Sequence, residues 1–172
     1  MELLEFVKAL KKTFDIDDVE KLGDALALAV KTNDTSKFDA FRELVNDELD
    51  VDHLQKVYQY YCADRVEKKQ DYTPRSLAAL VAALTPPSAV VVDLCTGSGA
   101  LTIQKWKESP TTTFELYELD ERVLPFLLFN LALRNIEARV FVGDALDDSC
   151  ELKYQVSRGS VYGRVAYIES TF

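Results

Sequence analysis

Three acidic residues recur at nearly equal spacing in the second half of the chain, each at the end of an apolar run. Asp93 ends the run that begins at Ala89, Glu118 follows 25 residues later, and Asp144 follows after another 26. A carboxylate at such a position can accept hydrogen bonds from both hydroxyls of a ribose, and a carboxylate or carbonyl can hold an adenine amino group. We therefore interpret Glu118 as a candidate ribose ligand and Asp144 as a candidate adenine ligand.

A glycine-rich segment, CTGSGAL, follows Asp93 almost directly. Gly97 and Gly99 allow the backbone to turn tightly and to approach a ligand closely. The segment has neither the third glycine of the dinucleotide fingerprint nor the Lys-Ser/Thr pair of a phosphate loop. A ligand that contains a nucleoside but no pyrophosphate therefore fits better than NAD or ATP. A domain of the same fold that binds no ligand is the alternative.

The elements that must position these residues alternate between helix and strand from residue 71 onward. A helical apolar pattern precedes the β-branched run at 89–94, and two further strand patterns, TFELYEL and ARVFVGD, each follow a helical stretch. This order predicts an α/β fold with a Rossmann-like, doubly wound sheet. Ligands bind at the carboxyl ends of the strands in such sheets, so the acidic residues and the glycine-rich segment should lie at one edge.

The first half of the chain has a different pattern. Residues 1–70 contain one glycine and no proline, and apolar residues repeat there at helical spacing in four stretches. The pattern predicts a small all-α bundle, with a helical N-terminal domain at 1–70 and the α/β domain at 71–172. The polar segment NDELDVD at 46–52 is interpreted as a connection. His53 is the single histidine, so we expect a surface or cap residue and no metal site.

Composition limits the function classes. The chain has 29 acidic and 20 basic residues, a net charge of −9, which is the opposite sign from a free-standing nucleic-acid binder. An acidic chain can still contact nucleic acid through a local basic patch or a basic partner. Cys62, Cys95 and Cys150 are an odd number without motif spacing, which excludes a disulfide framework or a cysteine zinc site. The N-terminal segment is neither a signal peptide nor a membrane span, so we predict a cytoplasmic protein.

Two segments of the sequence resemble a known enzyme class. VVDLCTGSGALTI, at 91–103, resembles the first motif of S-adenosylmethionine-dependent methyltransferases. Gln70-Asp71-Tyr72-Thr73-Pro74-Arg75 resembles the Q-x-[YF]-T-P entry of type I restriction-modification methylase subunits and related N6-adenine DNA methylases. The resemblance covers roughly residues 70–150.

The resemblance implies a set of cofactor contacts. The Thr-Pro segment, Asp93 and the turn at 97–99 would surround the methionine part of S-adenosylmethionine, Glu118 would hold the ribose, and Asp144 would lie near the adenine. The cofactor-binding residues implied in this way are Tyr72, Thr73, Pro74, Asp93, Cys95, Thr96, Gly97, Gly99, Glu118, Asp144 and Ala145.

The sequence departs from these families at one motif. They carry Asn/Asp-Pro-Pro-Phe/Tyr at the end of the fourth strand, where it grips the amino group to be methylated, whereas here the last proline is Pro125 and the last asparagine is Asn135. The strand-like tail at 163–168 runs into Glu169-Ser170-Thr171-Phe172, where only the phenylalanine matches. We therefore expect a truncated or degenerate motif, no assignable catalytic residue, and a chain that is inactive alone. DNA would be contacted through regions absent from the sequence or through a partner subunit.

Two alternatives remain open. The sequence also resembles the glutamine-N5 methyltransferases that modify release factors, which share a helical N-terminal domain, a Pro-Arg before the first strand and the same glycine-rich motif. Their protein substrate suits the acidic charge better than DNA does. A non-catalytic cofactor-binding or assembly module, with a protein partner docked on the helical half, is the other alternative.

Overall fold

The computed structural model describes residues 2–63, 72–147 and 149–168. Four helices come first, helices and strands then alternate, and two further strands come last. No helix within these ranges is long and apolar enough to cross a membrane. The helices are α1 (Leu3–Phe14), α2 (Leu22–Thr32), α3 (Thr35–Leu44), α4 (His53–Tyr61), α5 (Arg75–Leu84), α6 (Ala100–Glu108) and α7 (Leu124–Leu133), and the strands are β1 (Val90–Asp93), β2 (Thr113–Glu118), β3 (Ala138–Val142), β4 (Glu151–Ser157) and β5 (Arg164–Tyr167).

The first three strands confirm the predicted α/β architecture. β1, β2 and β3 run parallel and pair in chain order, with Asp93 opposite Leu116 and Glu118 opposite Val142. α6 connects β1 to β2, and α7 connects β2 to β3. Because the strands are parallel, their carboxyl ends meet at one edge of the sheet, which is where such sheets bind ligands.

The rest of the sheet differs from the predicted double winding. The strand order is β1-β2-β3-β4-β5, and β4 and β5 are antiparallel to their neighbours. Double winding needs a strand on the other side of β1, and the described residues do not form one. The tail expected as the family's fourth strand is β5 instead, at the edge far from β1, because its short connection to β4 can only join antiparallel neighbours. Residues 169–172, where the motif would fall, lie outside the described ranges.

β1 is consequently less buried than its sequence predicts. Its β-branched run is typical of a strand covered on both faces, yet Val90 and Val92 are 45% and 53% exposed. α5 packs on α6 through the small buried residues Ala78 and Ala82. The Lys105 ammonium of α6 donates to the carbonyls of Ala82 and Thr85, at 3.3 and 2.6 Å, and so caps the carboxyl end of α5.

The centre of the hydrophobic core is α7. Every residue of this helix except Pro125 is buried, because the sheet covers one side and the N-terminal helices cover the other. The Phe129 ring lies 5.6 Å from Phe14 of α1 and 5.1 and 5.2 Å from Phe38 and Phe41 of α3, measured between centroids. Aromatic pairs at such distances contribute packing energy beyond their buried area.

All four predicted N-terminal helices are present, but a separate all-α bundle is not confirmed. Their buried residues belong to the same hydrophobic core as α7, β2 and β3. The physical reason is that the apolar stripes of these helices face α7 as well as one another. The predicted domain boundary at residue 70 stays a prediction, since residues 64–71 lie outside the described ranges.

We expect Phe38→Ala to destabilise both halves of the chain together. Phe38 is fully buried, and its ring contacts Phe129 and, at 4.8 Å, Tyr162. The resulting cavity should lower the free energy of unfolding by about 3–5 kcal/mol. Trp106, the single tryptophan, lies in α6 and reports on the α/β half, whereas far-UV circular dichroism reports mainly on helices. In urea unfolding, the midpoint followed by Trp106 fluorescence and the midpoint followed by far-UV circular dichroism should both fall to the same extent.

The matched control is Leu28→Ala on α2, because Leu28 is 61% exposed. It should change the free energy of unfolding by no more than about 0.5 kcal/mol. If Phe38→Ala lowers the dichroism midpoint and leaves the Trp106 fluorescence midpoint unchanged, the two halves unfold independently and the shared core does not couple them.

Candidate functional site

The chain turns sharply between β1 and α6, over the segment that we call the glycine turn (residues 94–99). Gly97 and Gly99 have φ angles of +56° and +97°, which residues with a Cβ rarely adopt. α6 begins directly after Gly99. The N–H of Thr96 donates to the carbonyl of Tyr117 at 3.1 Å. The turn is therefore fastened to the end of β2.

Glu118 lies beside the glycine turn at the end of β2. Its Oε2 accepts from the N–H of Gly97 at 2.7 Å, and its Oε1 accepts from the N–H of Asp120 at 2.8 Å. Burial raises the pKa of Glu118, and the two N–H donors partly oppose that rise. A carboxylate has about four lone-pair sites, so Glu118 keeps acceptor capacity for the hydroxyl groups of a ligand.

Asp93 presents a buried acceptor that lacks a donor. Its Oδ1 accepts from the N–H of Cys95 at 3.2 Å, whereas its Oδ2 is buried without a hydrogen-bond partner among the described residues. Burial raises the pKa of Asp93. Asp93, Cys95 and Thr102 line a cavity of about 420 Å³ beside β1, and the buried Thr102 hydroxyl lacks a partner there too. Buried polar atoms without partners cost about 1–3 kcal/mol each, which makes this end of β1 a candidate ligand site.

The third acidic residue follows β3 at the same edge. Gly143, with φ of +141°, donates its N–H to the carbonyl of Glu118 at 3.0 Å, which joins the ends of β3 and β2. Asp144 comes next, and its Oδ1 accepts from the N–H of Leu146 at 2.9 Å. Ala145 is half-buried beside it. The backbone at the end of β3 is therefore held against the end of β2.

The Cys95 thiol lies within electrostatic range of all three carboxylates. Its pKa is raised by partial desolvation first, and then by the negative charges of Asp93, Glu118 and Asp144. A thiol with a raised pKa stays protonated and is a poor nucleophile. Within the described ranges, no three Cys, His, Asp or Glu side chains converge closely enough to hold a metal ion.

Tyr72 closes one side of the glycine turn. Its Cε1 lies 3.6 Å from the position that a Cβ on Gly97 would take. The ring packs edge-on against Tyr58, with centroids 6.0 Å apart. The pKa of Tyr72 is raised by burial, and then by neighbouring groups that include Tyr58 and Glu118. The structure therefore brings Tyr72 to the glycine turn.

Thr73 and Pro74 lie on the segment that leads from Tyr72 to α5. The carbonyl of Thr73 accepts from Gln55 Nε2 of α4 at 3.1 Å. Pro74 is exposed and directly precedes the helix, a place that its fixed φ suits. The two residues that begin this motif, at 70 and 71, lie outside the described ranges.

The sequence analysis did not identify the polar residues that hold the glycine turn on the side that faces α4 and α7. Ser98 Oγ donates to Asp52 Oδ2 at 2.6 Å, and Asn130 Nδ2 donates to Asp52 Oδ1 at 3.0 Å and to the carbonyl of Ser98 at 2.9 Å. Arg134 in turn donates to Asn130 Oδ1 at 2.8 Å. The available signal was that Asn130 and Arg134 interrupt an apolar helix. Asp52 gave no such signal, because it lies in an ordinary polar connection.

We expect Asp93→Asn to stabilise the ligand-free protein increasingly as pH rises. The pKa of Asp93 in the folded chain is raised above its ordinary value of 3.8, so the folded state binds the proton more tightly than the unfolded state. The free energy of unfolding therefore falls as pH rises from 3.8 through the folded-state pKa. Asparagine has no charge to desolvate, and urea unfolding from pH 4 to pH 8 should show its advantage growing.

Asp24→Asn on α2 is the matched control, since Asp24 is exposed and has no burial to relieve. Asp24→Asn should give no stabilisation that grows across the same pH range. An Asp93→Asn difference that stays flat or shrinks with pH would show that the buried carboxylate imposes no cost on the fold.

Comparison with known proteins assigns the family. The family model described as the methyltransferase small domain matches residues 67–156, just over half of the 172 residues. The matched region contains the glycine turn and all three acidic strand ends. No curated protein and no solved structure matches the chain significantly. The chain belongs to the methyltransferase small domain family.

Proposed function

We propose that the chain is the S-adenosylmethionine-binding domain of a methyltransferase whose acceptor is the N6 amino group of adenine in DNA. The observation that carries the cofactor assignment is the placement of Glu118. Its carboxylate accepts from the N–H of Gly97 at 2.7 Å, at the same sheet edge as the unpartnered oxygen of Asp93. Membership in the methyltransferase small domain family supports the same assignment.

The acceptors at this edge fit the donors of S-adenosylmethionine. Glu118 can accept from two ribose hydroxyls, Asp93 Oδ2 suits the methionine ammonium, and Asp144 or the backbone at Ala145 suits the adenine amino group. When bound, the cofactor supplies a methyl group on a positively charged sulfonium. The other proposed contacts belong to the turn and to the entry segment, namely Tyr72, Thr73, Pro74, Cys95, Thr96, Gly97 and Gly99.

The entry segment supports a DNA acceptor over a protein acceptor. Tyr72-Thr73-Pro74 resembles the corresponding segment of N6-adenine DNA methylases, and the ring of Tyr72 lies against Gly97. Methyl transfer of this class would form an N–C bond in line as the C–S bond breaks, with the sulfur leaving as a neutral thioether and the amine losing a proton to solvent. Alignment alone can account for several kcal/mol of the barrier. An adenine in duplex DNA must also be flipped out of the stack.

A glutamine-N5 methyltransferase is the second candidate, and net charge is the observation that favours it. At −9, the chain repels a polyphosphate, whereas a protein substrate imposes no such cost. The glycine turn and the helical first half are compatible with either acceptor. A non-catalytic cofactor-binding or assembly module, docked to a partner through the helical half, is a further alternative.

We expect Glu118→Ala to weaken S-adenosylhomocysteine binding about 10- to 100-fold, because two charge-assisted hydrogen bonds to the ribose are lost. Glu118→Gln should weaken binding of S-adenosylhomocysteine less, because the amide oxygen can still accept from the N–H of Gly97. Glu115→Ala is the matched control, because Glu115 lies on the opposite face of β2 and pairs with Arg139. Isothermal titration calorimetry measures all four proteins, and circular dichroism checks their fold.

Wild-type protein that gives no heat and no thermal shift with millimolar S-adenosylmethionine or S-adenosylhomocysteine would overturn the cofactor assignment. Equal affinities of wild type and Glu118→Ala would show that the cofactor binds elsewhere on the chain.

We expect these 172 residues alone to transfer no methyl group to DNA. The sequence lacks the Asn-Pro-Pro-Phe/Tyr grip for the acceptor amine, so alignment is lost. Tritium from labelled S-adenosylmethionine should stay at the no-enzyme level on unmethylated genomic DNA at low salt, with an intact adenine methylase as positive control. A second arm offers a polypeptide with an exposed glutamine. Label in DNA would contradict this expectation, and label in the polypeptide would favour the second candidate.

A further inference from the structure

The carboxylate of Asp52, directly before α4, joins the helical half of the chain to the glycine turn. Its Oδ1 accepts from the N–H groups of Leu54 and Gln55 at 3.1 and 3.0 Å, as a helix N-cap does. Its Oδ2 accepts from Ser98 Oγ at 2.6 Å, across 46 residues of chain. One side chain therefore caps a helix and also tethers the turn.

Ser98 is the part of the turn that this tether fixes. It is 1% exposed and lies between Gly97 and Gly99, which both have positive φ angles. A turn with two glycines can adopt many conformations unless other contacts restrict it. The Ser98 hydroxyl is bound by Asp52, and its carbonyl accepts from Asn130 Nδ2 at 2.9 Å. The hydroxyl of Ser98 is thus held by the helical half and its carbonyl by α7 of the α/β half.

Two buried residues, Arg134 and Asn130, hold Asp52 and the loop before it. Arg134 is 4% exposed, and it donates from Nε to the carbonyl of Leu49 at 2.6 Å and from Nη2 to the carbonyl of Val51 at 2.8 Å. Asn130 Nδ2 donates to Asp52 Oδ1 at 3.0 Å. These contacts restrain the carboxylate and, through it, Ser98 of the turn.

The same helix end also holds the other wall of the candidate site. Gln55, whose N–H is capped by Asp52, donates from Nε2 to the carbonyl of Thr73 at 3.1 Å. Thr73 follows Tyr72, whose ring lies against Gly97. The first turn of α4 thus contacts the glycine turn and the entry segment at once.

We infer that Asp52 is a positioning residue for the cofactor, which holds the glycine turn in its binding conformation through Ser98. The affinity of the α/β half for S-adenosylmethionine then depends on the helical half. This inference rests on the proposed function, and it adds a residue that neither the motif nor the resemblance contains.

A merely structural N-cap is the competing role, and the chain offers a matched control for it. Asp34 caps α3 by accepting from the N–H groups of Ser36 and Lys37 at 3.0 and 3.3 Å. Serine is also a good N-cap, but its single, shorter-reaching oxygen cannot cap the helix and reach Ser98 as well. Asp52→Ser and Asp34→Ser therefore change two caps alike, and only Asp52→Ser removes the tether.

Calorimetry with S-adenosylhomocysteine tests the inference on wild type and variants. Asp52→Ser and Ser98→Ala should each raise Kd about tenfold, a typical effect of losing one hydrogen bond to a charged group. The double variant should bind no more weakly than Asp52→Ser alone, because Asp52→Ser has already removed the interaction that Ser98→Ala removes. Asp34→Ser should leave Kd unchanged. Asp52→Asn should stay within about threefold of wild type, since the Ser98 hydroxyl can accept from the new amide.

Wild-type affinity in both Asp52→Ser and Ser98→Ala would overturn the inference, and so would effects that multiply in the double variant. If Asp34→Ser raises Kd as much as Asp52→Ser does, Asp52 acts only as a helix cap. Should Asp52→Ser fail to fold, Ser98→Ala removes the same tether from a residue outside the cap.

Hydrogen exchange in the ligand-free protein gives a second readout, which does not depend on the cofactor. Amides of the glycine turn should exchange at least about tenfold faster in Asp52→Ser and Ser98→Ala than in wild type, and at the wild-type rate in Asp34→Ser. If the wild-type protein binds no cofactor, the proposed function is wrong, but the exchange rates still show whether Asp52 restrains the glycine turn through Ser98. Unchanged exchange in both variants would overturn it.

Discussion

The buried guanidinium of Arg134, at the end of α7, is the constraint on which the arrangement of the two halves depends. Burial lowers the pKa of Arg134 to about 10, so the group still carries a full charge at neutral pH, away from water. Such a charge is tolerated only when its N–H groups find acceptors. The carbonyls of Leu49, Val51 and Asn130 supply them. The loop before α4 is therefore fixed against α7, and Asp52 takes its place from that loop.

The buried carboxylates of Asp93 and Glu118 stand in contrast to Arg134. Burial raises the pKa of both, which means that the folded chain holds their charges at a cost. Asp93 keeps one oxygen without a partner among the described residues, whereas Arg134 is bonded to three carbonyls. A buried charge whose hydrogen-bond partners all come from the protein indicates a role in the fold. A buried charge with an unpartnered atom at the carboxyl ends of strands indicates a binding site.

Local patterns were enough to predict the glycine turn and the acidic strand ends, because each helix between parallel strands places consecutive strands side by side. They could not predict that β4 and β5 return antiparallel, which leaves Val92 of β1 exposed. The tether from Asp52 to Ser98 spans 46 residues, and the bond from Arg134 to Leu49 spans 85. Hydrogen bonds of this range follow no periodicity, so only the folded chain reveals that the helical half supports the site.

The negative charge at the carboxyl ends of the strands favours the proposed cationic cofactor but disfavours a DNA acceptor. The acidic strand ends suit a ligand that carries an ammonium and a sulfonium, but together with a net charge of −9 they oppose a polyanion. Two cations near the site, Arg75 and Lys107, both pair with Asp50 of the loop before α4. Such surface pairs are individually weak, yet a neutralised cation contributes little field beyond about 10 Å at ordinary salt. If the acceptor is DNA, the attraction must therefore come from basic residues outside this edge, while the edge itself suits the proposed cofactor.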